Sequence, residues 1–178
     1  MPEEVLRFWF EEAGPERWWK ADPAFDEMIR MRFSAIHARA AQGELHGWRA
    51  QPRGRLAEVI VLDQFSRNLF RGSPLAFAQD LAALVLAQEA VAAGQHLQLA
   101  PVERAFLLLP YMHSESREIH QVAERLYREH APPGNYDFEL RHKAIIDRFG
   151  RYPHRNATLG RASTPEEVEF LKQPGSGF

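Results

Sequence analysis

The chain has 178 residues, 45% hydrophobic and 26% charged, with a formal net charge of -2 and no cysteine. That balance fits one globular domain with a core of ordinary size and argues against a nucleic-acid scaffold, which needs a strongly basic surface. Without cysteine there are no disulfides, no thiolate zinc sites and no cysteine nucleophile.

The start, Met1-Pro2-Glu3-Glu4, is acidic and lacks the basic region of a secretory signal. Val5, Leu6, Phe8, Trp9 and Phe10 open a short first helix. Phe25, Met28, Ile29, Phe33, Ile36 and Ala40 follow the i, i+3, i+4 spacing of a second. A third runs from Leu56 to Phe70 and a fourth from Leu75 to Ala93. A short fifth spans Val102 to Tyr111, a sixth Glu115 to Glu129, a seventh Tyr136 to Phe149 and the last Pro165 to Lys172. Asp22-Pro23, Ser73-Pro74 and Thr164-Pro165 each set a capping residue before a proline, and Thr164 with Glu167 makes a capping box. Gly43, Gly72, Gly94 and Gly150 stand where helices should stop. The expectation is an all-α fold of antiparallel helix pairs, stacked as a tetratricopeptide-like solenoid or bundle. It forms one domain over 1–173, with a frayed tail over 174–178. The apolar runs Leu81 to Leu86 and Ala105 to Leu109 fall short of the roughly 20 residues of a membrane span. A cytoplasmic protein with no membrane partner follows, and the apolar fourth helix could support a homodimer.

The third helix is apolar nearly all round, which marks a buried helix, yet its last two turns carry Asp63, Gln64, Arg67 and Asn68. At about 100° per residue these four share one stripe. A buried charge needs a partner or a wet cavity. Asp63 and Arg67 can pair at i, i+4 for architecture alone, or the stripe can wall a pocket. The seventh helix turns Phe138, His142, Ile145 and Phe149 to one side, so His142 points inward, as core histidines commonly do. Beyond it, Arg141 to Arg161 holds six basic residues against Asp147 alone, among them Arg148, Arg151 and Arg155, with His154 and Asn156. Guanidinium forks suit carboxylates and phosphates, although a solvated basic turn would look the same. Ser114 reads as the cap of the sixth helix, which puts His113 and Glu115 at that helix's mouth. Phe8, Trp9, Phe10, Trp18 and Trp19 read as core aromatics rather than a stacking platform.

Three segments, Leu62 to Asn68, Leu109 to Glu115 and Arg148 to Asn156, together resemble the domain of unknown function 924 family. The likeness runs from Val5-Leu6-Arg7-Phe8-Trp9 to Thr164–Leu171, nearly the whole chain. The resemblance implies an all-helical fold similar to tetratricopeptide-like repeats in cytoplasmic proteins, and it implies no activity.

Three functions stay open. The first is a pocket for a small anionic molecule or a peptide carboxylate, with Arg67, Arg148, Arg151 and Arg155 supplying charge. Gln64, Asn68, His113, His154 and Asn156 would orient the ligand, and Asp63 would hold Arg67. The second is a hydrolase or transferase acting on an anionic metabolite, with Asp63 or Glu115 exchanging protons with His113, His142 or His154. The third is a structural or interaction module in which these groups only knit helices together. No cofactor is implied, and the histidine spacing matches no helical metal motif.

Overall fold

The structure, a computed structural model, describes residues 1–177. Phe178, the end of the expected tail, lies outside them. The described residues form helices and turns with no strand. Helix α1 (Pro2–Arg7) runs into a π-helical turn, Phe8–Ala13, and is followed by α2 (Pro15–Trp18) and α3 (Pro23–Ala41). Next, α4 (Pro52–Ile60) passes through a second π-helical turn, Val61–Phe65, into α5 (Ser66–Leu69). A 3₁₀ turn, Pro74–Phe77, precedes α6 (Asp80–Ala92), and α7 (Pro101–Met112), α8 (Arg117–His130), α9 (Pro133–Phe149) and α10 (Pro165–Leu171) complete the chain.

Local chemistry sets most boundaries. The Asp22 carboxylate accepts from the Ala24 and Phe25 amides, starting α3. Thr164 and Glu167 form the reciprocal capping box that starts α10. Gly150 ends α9 at φ 70°, a left-handed conformation that glycine adopts without strain. Four boundaries differ from the sequence reading, one of them the start of α9 at Pro133, three residues before Tyr136. Helix α4 begins at Pro52, four residues before Leu56. The expected fourth helix is divided, because Ser73 caps a 3₁₀ turn and α6 starts only at Asp80. Ser116, not Ser114, caps α8 by accepting from the Ile119 amide.

Helix α4 packs on α1, α6 and α7, and α7 packs in turn on α6, α8 and α9. Phe8, Trp9, Phe25, Phe33 and Phe65 are buried between them, with Trp9 edge-on to Phe106 at 5.7 Å. Trp18 donates from its indole N–H to the Trp9 carbonyl at 2.8 Å. Trp19 departs from the core reading: it is exposed and stacks on Phe106 at 5.6 Å. A second, small core gathers Ile145, Ile146 and Tyr152 with Phe149 and Phe170. Phe138 does not share that side; it is 52% exposed. Pro74–Ala92 has the length and composition of a membrane span, more than the run Leu81 to Leu86 alone suggests; the core helix of a globular protein can have both. It turns Ala83, Leu84, Leu86, Ala87 and Ala90 into the core and leaves Leu81 and Val85 outside.

Candidate functional site

The π-helical turn at 61–65 lies in a helix whose residues from Leu56 to Phe65 are all buried. At about 100° per residue Asn68 already stands about 140° round the helix from Asp63. The stripe therefore divides. The Asn68 amide donates to Asp26 on α3 at 2.8 Å, beside the Arg71 fork on the same carboxylate. Ser66 donates to the Leu62 carbonyl and accepts from His37 at 2.8 Å. Asp63 and Arg67 turn instead toward the end of α7.

There Pro110, which has no N–H to return to the Phe106 carbonyl, precedes the last turn of α7, and His113 caps it. The Asp63 carboxylate is buried and lies 2.7 Å from His113 Nδ1, 3.3 Å from an Arg67 nitrogen and 2.6 Å from the Gln64 amide that donates to it. Burial alone would raise the Asp63 pKa. Arg67, His113 and Gln64 outweigh burial and hold it well below the usual carboxylate range. Burial lowers the pKa of His113 below the ordinary histidine value, although Asp63 pulls the other way. Facing a carboxylate that can only accept, Nδ1 carries the proton and donates it to Asp63. Its Nε2 has no hydrogen-bond partner among the described residues, and the ring lines an open cleft of ≈ 400 Å³.

The cleft lies between the 3₁₀ turn at Pro74–Phe77, the first turns of α6, the α7–α8 connection and the segment around Arg155. Its polar lining is Asp80, His113, Ser114, Glu115 and Arg155. Asp80 accepts from both Arg67 nitrogens, at 2.9 and 3.1 Å, and from Arg155 at 3.3 Å. Arg155 also donates to the His113 carbonyl at 3.1 Å and lies over the Phe77 and Tyr152 rings at 4.6 and 4.8 Å. Glu115 accepts a fork from Arg161 at 2.6 and 2.9 Å and the Tyr152 amide at 2.7 Å. Burial would raise its pKa, but these donors lower it.

Behind this wall Tyr152 donates its hydroxyl to the Met112 carbonyl at 2.6 Å, and His120 donates to the Ser114 carbonyl at 2.8 Å. His120 also meets the buried Glu139 at 2.7 Å. These bonds pin the turn that carries His113, Ser114 and Glu115.

The other residues singled out from sequence stand elsewhere. Gln64 supports Asp63 but does not line the cleft. Arg148 pairs with Glu166 at the surface, and Arg151 makes a fork to Glu167 at 2.6 and 2.7 Å. Asn156 joins Ser163, Glu167 and Arg161. The His142 and His154 rings pack 5.8 and 5.6 Å from Tyr152, also off the cleft lining. Sequence reasoning missed Asp80, Glu139, His120 and Arg161. A lone acid at the head of an apolar stretch was the one signal for Asp80. No three metal-ligating side chains converge among the described residues.

A family model described as a bacterial protein of unknown function, DUF924, matches residues 5–175. A solved structure of a protein of unknown function from Agrobacterium tumefaciens is 37% identical, covers 96% of each chain and superposes with a TM-score of 0.91. No curated protein matches the chain.

Proposed function

This chain belongs to the DUF924 family of bacterial proteins of unknown function, and we propose that its cleft is a small-molecule active site in which His113 is the general base. One observation carries this reading: the buried Asp63 carboxylate holds His113 by Nδ1 at 2.7 Å, while Nε2 has no hydrogen-bond partner among the described residues and His113 lines a cleft. An aspartate so placed fixes the tautomer and stabilises the imidazolium that forms when Nε2 takes a proton. The proton would come from a water or from an acidic site on the substrate, and it would return to the product. A hydrolase or transferase in the cytoplasm fits that step.

Anion capture has less support. Arg67 and Arg155 are committed to Asp80, Arg161 to Glu115, Arg151 to Glu167 and Arg148 to Glu166. A carboxylate ligand would have to displace one of these internal partners.

The test pairs a titration with a rate. Nitrogen-15 spectra of the wild type should show His113 protonated at Nδ1 alone at pH 7. Hydrolysis of p-nitrophenyl acetate should fall by about 100-fold in His113→Asn, the scale of one general base. Equal rates in the two proteins, with unchanged melting curves, would discard the proposal.

A further inference from the structure

The charges around the cleft cancel inside the protein. Arg67, Arg155 and Arg161 face Asp63, Asp80 and Glu115, and each guanidinium is within 3.3 Å of a carboxylate. Asp80 is the pivot, because it alone spans two guanidiniums. Without its carboxylate, Arg67 and Arg155 would converge on an empty seat of the right geometry for an anion. With it, the seat is filled. Arg155 cannot readily swing away to take a new partner, since Phe77, Tyr152 and the His113 carbonyl hold its guanidinium. Most of the remaining lining is apolar: Phe77, Leu81, Leu84, Pro110 and Leu159.

We infer that Asp80 is a specificity-determining residue that makes the cleft select an uncharged substrate with an apolar body and a hydrogen-bonding head, and reject carboxylates and phosphates. The inference rests on the reading of the cleft as a small-molecule site, but not on any chemistry at His113. An incoming anion would meet Asp80 and Glu115 and, among the described residues lining the cleft, one cation, Arg155, whose charge Asp80 already offsets. An incoming cation would meet carboxylates whose charge guanidiniums already offset. A neutral amide or ester carries neither penalty. Its chain can lie along Leu81 and Leu84 while an amide N–H of its head, or a water beside its carbonyl carbon, donates to His113 Nε2.

Three probes of one length separate the outcomes: hexanamide, hexanoate and hexylammonium, titrated into the full-length protein at pH 7.5 and followed by amide shifts at Leu81 and His113. Hexanamide should bind at least about tenfold more tightly than either ion, a difference of about 1.4 kcal/mol. In Asp80→Asn, hexanoate should tighten by about tenfold while hexanamide changes less than about threefold. Hexanoate binding the wild type as tightly as hexanamide would overturn the inference, and so would silence of both amides toward hexanamide. The wild-type ranking decides the matter even where Asp80→Asn unfolds. His113→Asn should keep the ranking, so a failed general base and a failed charge filter give different results.

Discussion

Acidification should destabilise this protein well above the range where carboxylates titrate, through its buried histidines. Burial is the largest influence on His142 and pushes its pKa down to about 3, against the Phe138 carbonyl that accepts from Nδ1. Burial likewise pushes His154 down to about 4, and the Arg155 charge adds to the effect. In the unfolded chain both titrate near the ordinary value of about 6.5. As pH falls below 6.5 the unfolded chain binds these protons and the folded one does not, so stability falls by about 1.4 kcal/mol per pH unit for each group. By pH 5 the two histidines together cost about 4 kcal/mol, a large part of the 5–15 kcal/mol typical of a domain. His113 and His37 shift in the same direction. Glu139, whose pKa burial raises, works the other way and trims the total. Urea unfolding at pH 7.5, 6 and 5 measures the slope. His142→Phe should remove about 2 kcal/mol of the loss between pH 7.5 and 5. A wild-type stability flat over that interval, or a variant that keeps the full slope, would refute the reasoning.

Two further substitutions test the packing. Glu167 is held down to about 2 by the Arg151 fork, against burial and with help from the Thr164 amide and Asn156. Its stabilising effect is complete above the ordinary carboxylate value and is lost as pH falls toward 2. Glu167→Gln should therefore cost about 1–2 kcal/mol at pH 7 and progressively less below pH 4.5, read from chemical denaturation at each pH. Gly54→Ala should reverse the usual sign for a helix interior. Alanine normally gains about 1 kcal/mol there, but a Cβ on Gly54 would overlap the Trp48 carbonyl oxygen. Overpacking against backbone should cost about 2–3 kcal/mol, a fall in Tm of several degrees, and a raised Tm would show that the 46–50 turn yields.

Helix identity was legible because it depends on local spacing. Ile29, Phe33 and Ala40 line one buried side of α3, and Asp22 and Thr164 cap where their prolines said they would. The π-helical turn at Val61–Phe65 was not legible, since a wheel of about 100° per residue presumes regular hydrogen bonding. The sequence reading places the cap of α8 at Ser114; Ser116 takes that place, and its own amide donates to the Ser114 hydroxyl.

The site itself depends on charges that are distant along the chain, and there the sequence misled in a consistent way. The basic run from Arg141 to Arg161 looks like a surplus only when counted locally. In space Arg148 and Arg151 are answered by Glu166 and by Glu167, which the sequence showed only as half of a capping box. Arg161 is answered by Glu115, and Arg155 by Asp80, 75 residues away. Guanidinium forks attract carboxylates wherever these come from, and a folded chain supplies them at high effective concentration before any ligand arrives. Counting arginines therefore overestimates affinity for anions. The informative atoms are those that internal pairing among the described residues leaves over, and on the residues lining this cleft they are His113 Nε2 and the buried Arg155 Nε.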